Sequence, residues 1–348
     1  MKPLGVAVIG AGYWGPNLIR NFQAHEAAVL RWVCDLDQRR AERAIGRYST
    51  VRVTTALEHV LADDSVDAVA IATPAATHHD LATAALGAGK HVLIEKPLAA
   101  SVAEGQAIVD LGHQLGLTVM CDHTYCYTPA VQKIRDLVAT GTLGEIHYFD
   151  SVRINLGIVQ PDIDVFWDLA PHDLSVLDFI LPERWAPTAV AANGADPIGA
   201  GRACIGHLSM PLRHAALAHI HVNWLSPTKL RTTIIGGSRR TLVWDDLNPS
   251  QRLSVFDRGV EATDPSDSEE RRQTLISYRT GEMVAPALPE AEALRAVVSE
   301  FIAAIRESRP PLTDGHAGLR VLRVLEAAGT SMSDGGQLVP LAVEPALR

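Results

Sequence analysis

The chain has 348 residues, of which 47% are hydrophobic and 20% are charged. A chain of this size and composition can bury one large core or two smaller ones, which excludes a disordered, collagen-like or short disulfide-stapled protein. It carries 31 Lys and Arg against 40 Asp and Glu, a net charge of -9. Binding to a phosphate backbone needs a basic surplus, so we expect no nucleic-acid partner.

The cysteines and the apolar runs indicate where the protein resides. The four cysteines form no C-x-x-C pair, and we expect reduced thiols. The N-terminus superficially resembles a signal peptide, but its apolar run ends in glycines, which favours a buried strand. No stretch reaches the ~18 consecutive apolar residues that cross a bilayer. The sequence therefore predicts a cytoplasmic protein with no membrane partner.

Short apolar runs alternate with amphipathic segments between Leu4 and about Asp122. The runs are LGVAVIG, AAVLRWVC, VDAVAIAT, KHVLIE and LTVMC. Runs that are apolar throughout are typical of strands buried on both faces, as in a parallel sheet covered by helices. Residues 1–122 are therefore predicted to form a doubly wound α/β domain.

After about residue 145 the pattern changes to a series of strands with few helices between them. The segments are EIHYFDSVRI, TAVAANG, ACIGHLSM, AALAHIHVNW, RTTIIG and RTLVW. Such a series predicts an α+β domain with an open, mostly antiparallel sheet over residues 123–348. Two terminal helices, at about residues 290–333, are expected to pack back onto the protein. The charged segment Asp257–Glu282 is predicted to be an exposed loop.

A glycine-rich loop follows the first apolar run. Gly10, Gly12 and Gly15 have the spacing G-x-G-x-x-G, and a predicted helix follows. Glycine permits the tight turn and the close backbone approach that a bound pyrophosphate needs, and the helix N-terminus offers free N–H groups. About 20 residues on, Asp35 ends the second run, where a carboxylate can bind the adenosine ribose hydroxyls. These features predict a dinucleotide-binding Rossmann domain.

The residue at the end of the second run also bears on the choice of cofactor. Asp35 favours NAD over NADP, because a carboxylate repels a 2'-phosphate. Arg39 and Arg40 lie just downstream and can tolerate a phosphate, although a solvated helix face is the preferred interpretation for both. NAD is therefore the expected cofactor.

Two further groups of polar residues fall at predicted strand ends, where ligands bind in an open α/β sheet. Thr73 and Pro74 follow one run, with His78 four residues after Pro74, and Glu95 and Lys96 end the next run before a proline. That proline indicates a fixed peptide, trans or cis, that aims the lysine side chain. The predicted cofactor ligands are Gly10, Gly12, Tyr13, Trp14, Gly15, Asp35, Thr73, Pro74, His78, Glu95 and Lys96.

Together these segments resemble the Gfo/Idh/MocA superfamily, named after glucose-fructose oxidoreductase, inositol dehydrogenase and the rhizopine catabolism protein. The resemblance covers nearly the whole chain and is carried by GAGYWG, ATPAATHHDLATAALGAGKHVLIEKPLA, CDHTYCYTPAV, WDLAPHD and PLTDGHAGLRVLRVLEAA. It implies a nicotinamide-dependent enzyme that acts on a secondary alcohol of a sugar, nucleotide sugar or cyclitol. It also implies a homodimer or homotetramer joined through the C-terminal sheet.

The resemblance implies that a lysine of an E-K-P motif and an Asp-x-x-x-His pair line the substrate, here Lys96, Asp168 and His172. A spacing of four places Asp168 and His172 on one helical face, and Pro171 predicts that both lie in the first turn. Alcohol oxidation needs a base that titrates near neutrality. We expect His172 to be this base, Lys96 to hold the alcohol oxygen and Asp168 to balance charge. Lys96 as the base is the alternative, and a plain helix cap is another interpretation of the pair.

The predicted substrate contacts are His123, Tyr127, Arg153, Asn155, Trp167 and His172. The family's usual Tyr-Asn-Pro is YTP here, beginning at Tyr127, and this departure can alter one contact. Arg153 and Asn155 are two apart on a predicted strand and face the same side, which suits phosphate or hydroxyl binding. Packing at the edge of the core is the equal alternative for both residues.

Three histidines are candidate metal ligands. His219 and His221 share a predicted strand face, with His214 nearby. No further ligand at a familiar spacing accompanies them, and the sequence has no H-E-x-x-H motif. They are interpreted as histidines of a sheet or a subunit interface, and no metal is expected.

Three later segments refine the function. WDLAPHDLS, RTLVWDDLNP and YRTGEMVAPALP are similar to the nucleotide-sugar branch of the family, in which position 3 of the hexose is the usual target. The predicted function is an NAD(P)-dependent interconversion of a ring hydroxyl, at C3, and a ketone of a sugar or nucleotide sugar. The alternatives are a cyclitol, free-sugar or aminoglycoside dehydrogenase and, from another class, a non-catalytic regulator that binds NAD or a sugar.

Overall fold

The computed structural model describes residues 2–46, 49–181, 186–263 and 275–341. The chain divides into two units, one formed by Met1–Thr128 with Glu290–Glu326 and the other by Pro129–Pro289 with Ala327–Arg348. The sequence analysis divided the chain after residue 122 and assigned both terminal helices to the second domain. In the structure, residues 290–326 pack within the first unit.

The first unit is built on a parallel sheet with helices between its strands. The strands are β1 (Leu4–Ile9), β2 (Ala28–Cys34), β3 (Arg52–Thr54), β4 (Ala68–Ile71), β5 (His91–Glu95) and β6 (Val119–Asp122). The helices are α1 (Gly15–Ala24), α2 (Gln38–Ile45), α3 (Leu57–Leu61), α4 (His78–Gly87) and α5 (Val102–Leu115). The strand order is β3-β2-β1-β4-β5-β6, the order of a dinucleotide-binding fold. The predicted Rossmann fold is confirmed.

Burial on both faces explains the apolar runs of the first unit. Side chains of β1, β4 and β5, such as Val6, Ala70 and Leu93, are fully buried. Strand β3 is the exception, because only Thr54 at its end is buried and its sequence, RVT, is no apolar run. The sequence analysis therefore missed β3 while it predicted the other five strands.

The terminal helices begin within the first unit. They are α8 (Ala293–Glu307) and α9 (Gly315–Ser333), and the division between the units falls inside α9. Helix α9 packs on α5, since a Cβ at Gly105 would lie 2.7 Å from Leu322 Cδ1. Before α8, Glu292 accepts a hydrogen bond from the Arg20 guanidinium of α1 at 3.0 Å. Residues remote in sequence thus support the sheet that carries the glycine-rich loop.

The second unit is a nine-stranded sheet with two helices of its own. The helices are α6 (Pro129–Ala139) and α7 (Val165–Ile180). The strands are β7 (Ile146–Leu156), β8 (Ala189–Ala195), β9 (Ile205–Pro211), β10 (Leu217–Asn223), β11 (Leu225–Gly237), β12 (Thr241–Asp245), β13 (Leu253–Thr263), β14 (Leu275–Val284) and β15 (Val339–Pro340). Their order is β14-β13-β12-β11-β7-β10-β9-β8-β15, in which β7 and β10 pair in parallel and the other neighbours antiparallel. The predicted mostly antiparallel sheet is confirmed.

The prediction that the charged segment Asp257–Glu282 forms a loop is wrong for the residues that the structure describes. Strands β13 and β14 pair from Val255 with Val284 to Thr263 with Leu275. Opposite charges face each other across the two strands, since Arg279 Nε donates to Asp257 Oδ1 at 2.8 Å. Such pairs let a charge-rich sequence form a hairpin, which composition alone does not reveal. Residues 264–274 of the predicted loop lie outside the described residues.

No helix in the described ranges is both long and apolar enough to cross a membrane.

Candidate functional site

The glycine-rich loop joins β1 to α1. Gly10 has a φ of 93°, and a Cβ there would lie 2.4 Å from the Ala72 carbonyl oxygen. A Cβ on Gly15 would lie 2.1 Å from the Gly10 carbonyl oxygen. At Gly12, by contrast, no heavy atom lies within 4 Å of the Cβ position. The loop is therefore closed at both ends and open at Gly12, beside the start of α1, where a pyrophosphate can approach the backbone.

Asp35 braces this loop. It follows β2 directly, and its Oδ2 accepts a hydrogen bond from the Ala11 backbone N–H at 2.7 Å. Its Oδ1 accepts from the Asp37 N–H at 2.8 Å, and Arg40 Nη1 lies 3.9 Å from the same oxygen. Each carboxylate oxygen has a second lone pair, so ribose hydroxyls can still donate to it. The sequence indicated the ribose role, and the structure adds the contact with the glycine-rich loop.

The two aromatic residues of the loop differ in environment. The Tyr13 side chain is 94% exposed. The Trp14 indole nitrogen is buried and has no hydrogen-bond partner among the described residues. A buried hydrogen-bond donor without an acceptor costs free energy. The Trp14 indole, unlike the exposed Tyr13 side chain, is therefore a donor that lacks an acceptor.

His78 ties the end of β4 to the end of β5. Its ring is fully buried, with Nδ1 2.9 Å from the Pro97 carbonyl oxygen and Nε2 2.9 Å from the Thr73 carbonyl oxygen. Burial lowers the pKa of His78. The Lys96–Pro97 peptide, which follows Glu95, is cis. The ring of His78 therefore holds the segment from which Lys96 projects, whereas its assignment as a cofactor ligand stays a prediction.

Glu95 and Asp122 end neighbouring strands and are paired in the parallel register of β5 and β6. Burial, and then the charge of Asp122, raise the pKa of Glu95 well above its ordinary value, against the opposing effect of Lys96. Burial likewise raises the pKa of Asp122 to about 6, although the Thr124 hydroxyl donates to its Oδ1 at 2.7 Å and opposes the shift. The other oxygen of Asp122 is buried, and no described residue forms a hydrogen bond with it.

His123 is the next residue, and it is 2% exposed. Within the part of the chain that the structure describes, neither ring nitrogen has a hydrogen-bond partner. Burial, aided by the charges of Lys96 and Arg320, lowers the pKa of His123 to about 3. The ring is therefore neutral at physiological pH, with one donor and one acceptor available, which is consistent with its prediction as a substrate contact.

Tyr127, another predicted substrate contact, lies in a short 3-10 helix, Thr124–Tyr127, and is buried. Its hydroxyl lies 2.9 Å from Thr313 Oγ1, which donates in turn to the Cys121 carbonyl oxygen at 2.7 Å. Burial raises the pKa of Tyr127. In this arrangement the hydroxyl links the segment after β6 to the residues before α9.

In the second unit, α7 carries the Asp-x-x-x-His pair. Asp164 caps the helix, since its carboxylate accepts from the Phe166 and Trp167 N–H groups at 2.9 and 3.0 Å. The interpretation of Asp168 and His172 as the cap is therefore wrong. Pro171 lies inside the helix rather than in its first turn. The helix begins at Val165, six residues earlier than that proline.

The first-turn prediction consequently holds for Asp168 and is wrong for His172. The capping aspartate starts the helix early, and the proline, which lacks an N–H donor, is accommodated within it. Four residues still separate Asp168 from His172, so both lie on one face of α7. Trp224, which follows β10, donates its indole N–H to Asp168 Oδ2 at 3.0 Å. Asp168 is thus oriented by a fully buried tryptophan.

Arg153 forms a buried ion pair beneath α7. Its Nε donates to Asp173 Oδ2 at 2.7 Å and its Nη2 to Oδ1 at 3.1 Å, while the Ser151 hydroxyl donates to Oδ1 at 2.7 Å. Arg153 and Asp173 are 4% and 2% exposed. This network ties β7 to the helix residue that follows His172. The geometry favours packing over phosphate binding for Arg153.

Other residues considered from the sequence are placed as follows. Asn155 lies beside Trp224, because a Cβ at Gly157 would approach both side chains, at 2.9 Å from Asn155 Nδ2 and 3.0 Å from Trp224 Cδ1. His221 stacks on His207 of β9 with ring centroids 4.1 Å apart, and His219 lies 3.0 Å from Asp150 Oδ1. Among the described residues, no group of three or more His, Cys, Asp or Glu side chains is placed to hold a metal ion.

Comparison with known proteins decides the family. A model described as the oxidoreductase family, NAD-binding Rossmann fold, matches residues 4–123. A second model, the C-terminal alpha/beta domain of that oxidoreductase family, matches residues 135–341. The chain belongs to the Gfo/Idh/MocA oxidoreductase family.

Several members of the family resemble the chain over almost its whole length. It is 29% identical over 327 residues to UDP-N-acetylglucosamine 3-dehydrogenase of Acidithiobacillus ferrooxidans, covering 92% of this chain and 95% of that protein. A solved structure of that enzyme has a TM-score of 0.80 at 26% identity, covering 97% of this chain and 100% of the other. GenD2 from gentamicin A biosynthesis, solved in complex with NAD, has a TM-score of 0.80 at 26% identity, covering 99% and 97%.

A relative with a different named substrate is D-xylose 1-dehydrogenase (NADP(+)) 2 of Haloferax volcanii. It is 27% identical over 340 residues, covering 95% of this chain and 97% of that protein.

Membership of the Gfo/Idh/MocA family makes the protein an NAD-dependent oxidoreductase, and the residues of the first unit fit that cofactor. The loop is open where the pyrophosphate approaches, at Gly12, and Asp35 lies at the end of β2 with acceptor capacity for the ribose. The Trp14 indole nitrogen and both ring nitrogens of His123 are buried and find no hydrogen-bond partner in the described ranges. Such orphaned groups are expected where a bound molecule supplies the missing contacts.

Sequence reasoning missed four residues that shape these sites. They are Asp122, Asp164, Asp173 and Trp224. Asp164 was detectable, because an aspartate directly before an apolar helical run is a capping signal. Asp173 lies 20 residues from its partner Arg153, and Trp224 lies 56 residues from Asp168. Asp122 pairs with Glu95 on a neighbouring strand, so the roles of all three depend on the tertiary fold.

Proposed function

We propose that the protein is an NAD-dependent oxidoreductase that interconverts a ring hydroxyl, at C3, and a ketone of a nucleotide sugar. The observation that carries the proposal is that the chain has all three residues that its resemblance to the family implies for the substrate site. Lys96 follows β5, and Asp168 and His172 share one face of α7, with Asp168 fixed by Trp224. A binding protein without activity would have no need for all three of these residues.

Each of the three residues has a role that its chemistry supports. Bound NAD would accept the hydride from the carbinol carbon at its nicotinamide C4. His172 takes the hydroxyl proton, since an imidazole titrates near neutrality. Lys96 holds the alcohol oxygen and stabilises the negative charge that develops on it, and Asp168 balances the local charge. The exchange of roles between His172 and Lys96 is the alternative, and a pH profile of each variant distinguishes the two.

The substrate class rests on the relatives. The UDP-N-acetylglucosamine 3-dehydrogenase matches this chain over nearly its full length and names both a nucleotide sugar and position 3. His123, Asn155 and Trp167 are the proposed substrate contacts that present available or partly exposed groups. Arg153 and Tyr127 are proposed to act through the local structure instead, because both are engaged in buried hydrogen bonds.

A second candidate is an aminoglycoside or free-sugar substrate. The match to GenD2 from gentamicin A biosynthesis is as good in TM-score as that to the UDP-sugar enzyme, and a D-xylose dehydrogenase is also similar. All three substrates present a secondary alcohol or hemiacetal to the same hydride chemistry. The candidates differ in the groups attached to the sugar ring, so a substrate panel separates them.

We also propose a cytoplasmic homodimer or homotetramer. Exposed apolar side chains on β13 and β14 support an association of copies, namely Val260, Tyr278, Met283 and Val284. Light scattering on the purified protein tests this proposal. A single monomeric mass at every concentration would contradict it.

The experiment that tests the function is a panel assay for NADH formation. Purified protein is incubated with NAD or NADP and UDP-N-acetylglucosamine, D-xylose, myo-inositol or an aminoglycoside. We expect turnover with UDP-N-acetylglucosamine and NAD, and a fall in kcat of about 10²–10⁴-fold for Lys96→Ala and for His172→Ala. Tight NAD binding without turnover of any member would favour the regulator. Variants with unchanged kcat would show the catalytic assignment to be wrong.

A further inference from the structure

A cavity in the second unit is lined mainly by arginines. Its volume is about 460 Å³, and its lining residues are Thr142, Arg239, Arg240, Asp257 and Arg279. Small-molecule sites have volumes of about 300–1,000 Å³, so the cavity has room for a small ligand. Three guanidinium groups and one carboxylate give the lining a net charge of +2, although the whole chain carries -9. A concave surface lined mainly by one sign of charge attracts small ions of the opposite sign.

The strand pairing places this cavity at the end of the sheet opposite to Asp168. Gly237, which precedes the β11–β12 turn, pairs with Ile146 at the start of β7. Trp224, which holds Asp168, follows β10 at the point where β10 pairs with Ile154 of β7. The eight residue steps from Ile146 to Ile154 span about 26 Å at about 3.3 Å per residue. The cavity is therefore separate from the site that contains Asp168.

We propose that this cavity binds a small phosphate-bearing anion, with Arg239 and Arg240 as its main ligands. Guanidinium groups match phosphate oxygens with paired N–H donors, and such charge-assisted hydrogen bonds are stronger than neutral ones. A ligand with two negative charges balances the net charge of the lining. The inference goes beyond the proposed function and is independent of it, because it involves none of the residues proposed to hold NAD or the sugar.

Arg239 and Arg240 carry charges that the described part of the chain does not balance. Both residues are exposed. Among the described residues, neither guanidinium forms an ion pair or a hydrogen bond with another side chain. Adjacent like charges repel each other, and an anion that contacts both reverses the sign of the interaction. The donors of both arginines are therefore available to a ligand.

Backbone hydrogen bonds fix the turn that carries these two arginines. The Arg239 N–H donates to the Leu143 carbonyl oxygen at 2.9 Å, and the Ser238 N–H donates to the Glu145 carbonyl oxygen at 2.8 Å. The Ser238 hydroxyl accepts in return from the Glu145 N–H at 3.0 Å. The β11–β12 turn is thereby tied to the segment before β7. A site whose backbone is already fixed loses less conformational entropy when a ligand binds.

The other lining residues are compatible with an anion. Arg279 Nε donates to Asp257 Oδ1 at 2.8 Å, and its Nη2 donates to the Arg239 carbonyl oxygen. Because Asp257 is already paired with a guanidinium, its repulsion of an incoming anion is reduced. The Thr142 hydroxyl lies 2.9 Å from Thr140 Oγ1 and can accept from it while it donates to a phosphate oxygen. The ion pair thus supports the turn, and the threonine adds a neutral donor.

Isothermal titration calorimetry with inorganic pyrophosphate tests the proposal. The protein is saturated with NAD in a phosphate-free buffer, because the glycine-rich loop is another place where a pyrophosphate can bind. We expect one pyrophosphate to bind per chain with a Kd below about 1 mM, and acetate to show no saturable binding. In Arg239→Gln/Arg240→Gln, the Kd should rise about 10–100-fold through loss of charge-assisted hydrogen bonds. No saturable binding of pyrophosphate to the wild type in the millimolar range would overturn the proposal.

Lys229→Gln/Arg252→Gln is the matched control. It removes the same total charge from two exposed residues of the second unit that do not line the cavity. Because exposed charges at a distance are screened by salt, we expect its Kd for pyrophosphate to stay within about twofold of the wild-type value. An equal rise of the Kd in the two double variants would show that net charge, rather than the cavity, governs binding, and the proposal would be wrong.

Arginine modification locates the ligand without any substitution. Phenylglyoxal modifies accessible guanidinium groups, and peptide mass spectrometry measures the extent of modification at each arginine. In the NAD-saturated protein, we expect pyrophosphate to protect Arg239 and Arg240 and to leave Arg252 unprotected. Equal modification of Arg239 and Arg240 with and without pyrophosphate would contradict the proposed site. Neither measurement requires turnover, so failure of the proposed function leaves both of them decisive.

Discussion

Each unit of this protein buries an aspartate near a candidate catalytic residue, and the two aspartates differ in their hydrogen-bond partners. Asp173, beside His172, receives two hydrogen bonds from Arg153 and one from Ser151. Asp122 receives one hydrogen bond, from the Thr124 hydroxyl, and its other oxygen has no hydrogen-bond partner among the described residues. The comparison teaches that burial alone does not define the role of an acid. At Asp173 a matched cation makes the acid a structural anchor, whereas burial at Asp122 raises the pKa to about 6 and favours the protonated form.

The same substitution at the two sites should therefore have opposite effects on stability. At Asp173, removal of the charge takes away the carboxylate that the buried Arg153 guanidinium contacts with two hydrogen bonds. We expect Asp173→Asn to lower the free energy of unfolding by about 3–5 kcal/mol. Urea denaturation measures this loss. Asp150→Asn, which removes a half-exposed partner of His219, serves as the control and should change stability by less than about 0.5 kcal/mol. Equal losses of stability in Asp173→Asn and Asp150→Asn would contradict the role of Asp173 as a structural anchor.

His123 should make the protein less stable in acid. Its folded pKa, about 3, lies below its unfolded value, so the unfolded chain binds a proton below pH 6.5 that the folded chain does not. The resulting loss is absent at pH 8 and reaches about 2 kcal/mol at pH 5. We expect His123→Gln to remove that part of the acid sensitivity. Parallel stability–pH curves for the variant and the wild type would refute a neutral buried imidazole.

Asp122→Asn is expected to stabilise the protein at neutral pH. Since burial raises the folded pKa of Asp122 to about 6, the folded chain binds a proton more readily than the unfolded chain, and stability falls as pH rises from about 4 to 6. Above pH 6 the variant should gain about 1–2 kcal/mol, and below pH 4 the gain should vanish. Thermal unfolding at several pH values tests this sign. A loss of stability at pH 7 would place Asp122 in the same class as Asp173.

Trp224 offers the smallest and most local test, because it orients Asp168 through one hydrogen bond. Trp224→Phe should lower kcat about tenfold, corresponding to about 1.4 kcal/mol, through loss of the indole donor. Trp244→Phe, at another buried tryptophan of the second unit, controls for the lost packing volume. Both variants should lose similar stability, and only the first should lose kcat. Equal kcat values would show that Asp168 does not depend on the indole.

The two buried aspartates also show which features of the fold and the site could be predicted from the sequence. Periodicity and glycine spacing predicted the Rossmann fold and the ribose-binding role of Asp35, because each of these signals lies within a short stretch of sequence. The motif resemblance supplied Lys96, Asp168 and His172. The roles of Asp122, Asp173 and Trp224 could not be predicted, since each depends on a partner that the fold brings from another strand or helix. The strand position of Arg153 was predicted correctly, but its buried partner, Asp173, could not be predicted from the sequence.

Two errors have a similar physical origin. The charge-rich segment Asp257–Glu282 was interpreted as a loop, whereas Arg279 and Asp257 neutralise each other across β13 and β14. Pro171 was expected near a helix start, whereas the Asp164 cap begins α7 earlier. In both cases a residue type with a strong local preference was overruled by interactions that the local sequence does not contain.

The central claim is that the protein transfers a hydride from C3 of a nucleotide sugar to NAD. Incubation with NAD and UDP-N-acetylglucosamine deuterated at C3, followed by mass spectrometry of the reduced cofactor, tests it directly. We predict that the deuterium appears in the reduced nicotinamide, and that deuteration at another ring carbon does not label it. Reduced cofactor without deuterium, or no reduction by a nucleotide sugar alongside turnover of an aminoglycoside or free sugar, would contradict the claim.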